Sequence, residues 1–140
     1  MGVNSIINPT AIDRDDQGSF YISENSRFDV RKLDENLIMH AFAGSTMQGN
    51  GPENVDRLVV DFRNVDDTSV GVNGEFLVTD STVNCVRKID ANRKVTTIAG
   101  SSSSVQGYAG DGGLATNALL KTPYSADMTS NGDIYISDMG

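Results

Sequence analysis

The chain has no tryptophan, one cysteine, one histidine and only three prolines. A single cysteine makes no internal disulfide. One Cys and one His are too few for a zinc cluster or a histidine-rich metal centre. Apolar runs are only a few residues long, far short of the roughly 20 needed to span a bilayer as a helix, so no membrane insertion is expected. The N-terminal stretch has no basic region followed by an apolar core of signal-peptide length. Ile6 stands where a myristoylation signal needs Ser or Thr, and Pro9 blocks the one Asn-x-Thr acceptor, at Asn8. There is no Gly-x-x-x-x-Gly-Lys-Ser/Thr loop and no dinucleotide fingerprint. Positive charge is also scarce. Eleven Lys and Arg face 19 Asp and Glu, giving a net charge of -8. A surface that acidic repels phosphate backbones and anionic membranes, so no nucleic-acid partner is expected.

What is present is globular and repetitive. The 140 residues are 38% hydrophobic and 21% charged, with 14 glycines, which suits one compact domain or part of one. Residues 18–44 align with 74–100 without a gap. Identical pairs are Gly18/Gly74, Phe20/Phe76, Val30/Val86, Arg31/Arg87, Lys32/Lys88, Asp34/Asp90, Asn36/Asn92, Ala43/Ala99 and Gly44/Gly100. A third copy begins at Asn131-Gly132-Asp133-Ile134-Tyr135-Ile136-Ser137-Asp138, matching Asn73 to Asp80. Self-similarity at this period marks a repeat architecture.

Each copy carries four short β signals. The first precedes a Gly turn: Thr10 to Ile12, Thr68 to Val70 and Ser125 to Met128. The second follows that turn as Phe20-Tyr21-Ile22, Phe76-Leu77-Val78 and Ile134-Tyr135-Ile136. Such non-alternating apolar runs suit strands buried on both faces. The third is Val30 to Leu33 and Val86 to Ile89. Asp34-Glu35-Asn36 and Asp90-Ala91-Asn92 then supply turn chemistry. The fourth runs from Leu37 to Phe42 and from Val95 to Ile98, ending at Ala-Gly. Four antiparallel strands per repeat predict an all-β fold of β-propeller blades. The expected units are a segment at 1–8, a first repeat with its connector at 9–65, a second at 66–122, and the start of a third at 123–140. Leu114 to Leu120 is expected to make one or two turns of helix.

The order Gly-Asp-Gly-Gly-x-Ala-Thr-x-Ala-x-Leu-x-x-Pro at Gly110 to Pro123, followed by Asn131 to Asp138, resembles the NHL-repeat β-propeller family. Val86-Arg87-Lys88-Ile89-Asp90 and Thr97-Ile98-Ala99-Gly100 extend the resemblance. The first connector, residues 49–65, departs from the pattern. The resemblance implies an incomplete ring of about two and a half blades, completed by further blades or by self-association. It also implies three classes of function. The first is a non-catalytic binding or scaffold module presenting its loops to a protein or carbohydrate partner. The second is part of a propeller lyase or hydrolase whose active-site residues lie in other blades. The third, an RNA-binding propeller, is opposed by the net charge.

No catalytic, cofactor-binding or metal-ligating residue is assigned from the sequence. No hydrolase, kinase or oxidoreductase activity, no cofactor and no bound transition metal are expected. Gly110-Asp111-Gly112-Gly113 reads as a turn rather than a phosphate nest, because Asp111 would repel an anion. Asp13-Arg14-Asp15-Asp16 and Asp66-Asp67 match no calcium loop and read as turns. His40 has no repeated counterpart, since Thr96 stands in its place, and it is expected on a polar strand face. Cys85, aligned with Asp29, reads as a small strand residue. Arg31-Lys32 and Arg87-Lys88 recur at one blade position. They are expected to bridge blades, the arginines pairing with Glu24, Asp80 and backbone carbonyls, rather than to form a basic ring for acidic ligands.

Overall fold

A computed structural model describes residues 8–101 and 104–140. Apart from Asn8, the segment expected at 1–8 lies outside the described residues. The first sheet has the order β1-β2-β3-β4 and is antiparallel throughout, with β1 Pro9–Arg14, β2 Phe20–Glu24, β3 Asp29–Leu33 and β4 Met39–Ala43. The second repeats it as β6 Asp67–Val70, β7 Phe76–Asp80, β8 Cys85–Ile89 and β9 Lys94–Gly100. The third holds β10 Pro123–Met128 and β11 Ile134–Asp138. β1 contacts β6 and β6 contacts β10, so the first strands lie side by side and the sheets stack as blades. The fold is an all-β propeller arc whose ring does not close. The three apolar runs Phe20–Ile22, Phe76–Val78 and Ile134–Ile136 are equivalent second strands, and none pairs with another.

The turns explain why the strands recur. Gly18, Gly74 and Gly132 end the first hairpin of each blade at φ of +90°, +76° and +87°, a region that glycine enters without steric cost. Between the third and fourth strands, Asp34 Oδ1 accepts the N–H groups of Asn36 and Ile38, at 3.0 and 2.8 Å. Asp90 Oδ1 does the same for Asn92 and Lys94, at 2.9 and 2.8 Å. These carboxylates stand in for backbone and fix the same hairpin twice. At the opposite end, a side chain on Gly100 would collide with the carbonyl oxygen of Asn84.

One expectation is extended and one is corrected. The second sheet has a fifth strand, β5 Val55–Asp56, contributed by the first connector and paired with the outer edge of β9 through Val55↔Val95 and Asp56↔Lys94. That edge otherwise exposes unpaired backbone groups, and the connector covers part of it. Leu114 to Leu120 is not helical beyond a single 3-10 turn at Ala115–Asn117. Leu119 N–H instead donates to Ala109 O at 2.8 Å, and Gly107 N–H to Leu120 O at 3.2 Å. A segment this short cannot meet the nucleation cost of a helix when these partners compete.

The core fills the gaps between blades. Tyr21, Phe42 and Phe76 meet with ring centroids 4.5 to 4.7 Å apart, joining the first blade to the second. The first connector adds Val60, Phe62 and Val65, all fully buried. A second cluster, built on Leu77, Val86, Ala99 and Ala126, joins the second blade to the third. Hydrogen bonds add register. Val70 N–H donates to Asp13 Oδ2 at 2.7 Å, Thr10 Oγ1 donates to Val65 O at 2.7 Å, and Thr122 N–H donates to Asn84 Oδ1 at 2.9 Å.

Candidate functional site

The residues singled out in the sequence are scattered over the blades. Cys85 is buried on β8, where burial, with the charge of Asp80 adding to it, pushes its thiol up from an ordinary 9.0 to about 12. Such a thiol is protonated and poorly nucleophilic at neutral pH. His40 lies on β4, the outermost strand of its blade, with Nε2 2.8 Å from Asp34 Oδ2. That hydrogen bond, helped by the Ile38 and Asn36 amides, holds the Asp34 carboxyl below the ordinary carboxylate range. Gly110 to Gly113 forms an exposed turn in which Gly113 N–H donates to Gly110 O at 3.0 Å.

In the acidic clusters, Asp66 and Asp15 accept hydrogen bonds from nearby backbone and side-chain groups. Asp66 accepts from Asn64 Nδ2 and from the Ser81 N–H. Asp15 accepts the N–H groups of Gln17 and Ser19, at 3.0 and 2.8 Å, and the Tyr21 hydroxyl at 3.0 Å. Burial raises the Asp15 pKa, but these three donors and the nearby Lys32 charge outweigh it and leave the carboxyl below its ordinary value. Among the described residues no group of three or more His, Cys, Asp and Glu side chains is placed to hold a metal ion.

Of the repeated arginines, Arg87 reaches beyond its own sheet to the first connector, whereas the Arg31 ion pair joins neighbouring strands of one blade, and one partner is corrected. Arg31 Nη1 lies 3.7 Å from Glu24 Oε2, as the alignment suggested. Arg87 does not pair with Asp80. Its Nη2 donates to the carbonyls of Gly51 and Pro52, both at 3.0 Å, and to Glu53 Oε1 at 3.3 Å. Asp80 accepts the backbone N–H of Arg63 at 2.8 Å instead. The first connector passes close to the end of Arg87, and its carbonyls accept from Nη2 of the guanidinium, while Nε is buried without a hydrogen-bond partner.

Three hairpin turns bring together a site that the sequence did not reveal. The β1–β2 turn supplies Arg14 to Gln17, the β6–β7 turn Gly71 to Gly74, and the β10–β11 turn Ser130. They surround an open cleft of about 740 Å³ on the side of the arc where the first hairpins of the three blades turn. Val70, Phe76 and Met128 form apolar wall, and Lys32 reaches in from the end of β3. Its Nζ lies 5.5 Å from the centroid of the Tyr21 ring, and the Arg14 guanidinium lies 5.7 Å from that of Phe20. The cleft is apolar at its wall and charged at its rim, as small-ligand sites commonly are. Sequence reasoning missed it because its residues come from three repeats and meet only when the blades stack.

No protein-family model matches the chain, and no curated protein sequence matches it. Solved structures do. A protein of unknown function from Bacteroides thetaiotaomicron superposes with a TM-score of 0.75 at 24% identity, covering 86% of this chain and 30% of that one. Virginiamycin B lyase from Staphylococcus aureus superposes at 0.57 with 14% identity, covering 97% of this chain and 36% of the lyase. A streptogramin B lyase structure gives 0.51 and 14%, covering 94% and 40%. The chain therefore spans between 30% and 40% of the length of these structures. At such identities the likeness is one of fold.

Proposed function

We propose that the chain is a non-catalytic binding module whose hairpin-turn end takes up a protein or carbohydrate partner. The observation that carries this reading is the cleft between the three turns, with charged groups on its rim and Val70, Phe76 and Met128 on its wall. Function concentrates on loops held by a rigid scaffold, and here three blades hold three turns. The side chains best suited to reaction chemistry lie elsewhere. Cys85 is buried with a raised pKa, and His40 is bonded to Asp34 on an outermost strand. The likeness to two lyases favours a catalytic alternative, but through the fold alone.

The test is a ligand-observed NMR screen of the full chain against short peptides and oligosaccharides, repeated with Ser130→Trp, which fills the cleft from its exposed rim. Binding that the wild type shows and the variant loses, at unchanged melting temperature, supports the reading. Binding retained by the variant, or turnover of a screened compound, overturns it.

A further inference from the structure

The outer edges of the first two blades differ. On β9 the Val95 and Arg93 carbonyls accept the N–H groups of Asn54 and Arg57, both at 2.8 Å, and the Thr97 N–H donates to Glu53 Oε2 at 2.7 Å. In the aligned positions of β4 stand the carbonyls of Met39 and Leu37 and the N–H of Ala41. They face outward by the same alternation. Ile38 O accepts the Asp34 N–H at 3.0 Å on the inner side, as Lys94 O accepts that of Asp90 at 2.9 Å. β4 is the last strand of its sheet, and no described residue pairs with Leu37 to Ala41 on the outer side. Burial follows the covering. Val95 is buried beside β5, whereas Met39 in the same position is half-buried.

The two edges also select different partners. β9 presents Arg93 and Lys94, and the segment on it carries Asp56, whose Oδ2 lies 3.2 Å from Arg93 Nε. β4 presents Leu37 and Ile38 in those places, 77% and 55% exposed. An acidic strand finds no base there. The hairpin tip beyond is itself acidic, with Asp34 and Glu35, and a second copy of the chain would bring its own net charge of -8. An apolar strand covers Ile38 and Met39, and a base just after it reaches Glu35, because an antiparallel strand runs towards that hairpin. Exposed apolar edges are templates for strand addition. We propose that the outer edge of β4, Leu37 to Ala41, takes an extended segment of a partner protein, antiparallel, apolar opposite Met39 and Ile38 and basic immediately after. None of these residues lines the cleft, so the site is separate from the one described above.

The experiment is NMR titration of the isotope-labelled full chain with three peptides. The first is acetyl-Thr-Val-Val-Ile-Lys-Lys-amide. The second is the same peptide N-methylated at its first valine and first lysine, the two donors in the register of Asn54 and Arg57. The third is acetyl-Thr-Val-Val-Asp-Glu-Glu-amide. The first should shift the Leu37, Met39 and Ala41 amides and slow hydrogen exchange at Ala41. The other two should bind at least about fivefold more weakly. The double variant Leu37→Arg with Ile38→Lys gives β4 the bases of β9 and should reverse the order of the first and third peptides. Leu37 has φ +62° and Arg93 +68°, so the turn already holds arginine in this conformation. Leu114→Lys, which removes an exposed leucine elsewhere, should change nothing. Equal binding of the three peptides, shifts confined to β11, an equal loss in Leu114→Lys, or no binding overturns the site. Shifts of the β4 amides with chain concentration alone would assign the edge to a second copy and also overturn it. Ser130→Trp should bind the first peptide as the wild type does, and failure of the edge site leaves the cleft standing.

Discussion

Cys85 shows how burial sets chemistry at single positions. Its thiol is raised from 9.0 to about 12, so Ellman's reagent at pH 8 should label it only as the protein unfolds. Labelling of native protein at the rate of a free thiol would contradict this. The same shift bears on stability. Because the folded pKa lies above the unfolded one, the contribution is fully present below about pH 9 and fades as pH rises towards 12. Arg87 is the other residue with large consequences. It is 2% exposed and gives its guanidinium hydrogens to Gly51, Pro52 and Glu53. Removing it strands two carbonyls and empties a packed site, so Arg87→Ala should cost about 3 kcal/mol by chemical denaturation. Arg31→Ala should cost less, since Arg31 is more exposed and lies at a longer 3.7 Å from Glu24. Equal losses would show that the two copies carry equal weight.

Among the elements, the strands were legible because each is announced by a Gly or Asp turn and an apolar triplet. Phe20 to Ile22 and Phe76 to Val78 needed no tertiary information. β5 was not legible, because Val55–Asp56 has strand character only through its pairing with β9. Val60, Phe62 and Val65 were hidden in the same way, scattered through a stretch that reads as polar connector. The cleft was legible only in part. Ser19 in the place of Glu75 is visible in the alignment, but that Lys32 and turns from three repeats line one cleft is not. Between elements, Asp13 ties the first blade to the second through the Val70 N–H at 2.7 Å. Asp13→Ala should lower stability by about 1 kcal/mol and speed hydrogen exchange at the Val70 amide about fivefold. An unchanged Val70 rate would show that apolar packing alone sets this register.

For the whole molecule, the open arc leaves apolar groups on both terminal blades. Ile12 is 62% exposed at one end and Tyr135 69% at the other. A closed propeller covers such faces with neighbouring blades. The isolated chain should therefore associate as its concentration rises, and sedimentation velocity should show the weight-average coefficient increasing with concentration. One sharp monomer boundary across the range would mean that these faces are stable in water. The binding role of the hairpin-turn end is tested most directly by methyl NMR of the chain labelled at its five methionines. Met128 lines the cleft, whereas Met47 and Met139 are exposed and outside its lining. With a ligand recovered from the peptide and oligosaccharide screen, the Met128 methyl should shift to saturation while those of Met47 and Met139 stay in place. Shifts at Met47 or Met139 with Met128 unmoved would place binding elsewhere and contradict the cleft as the site.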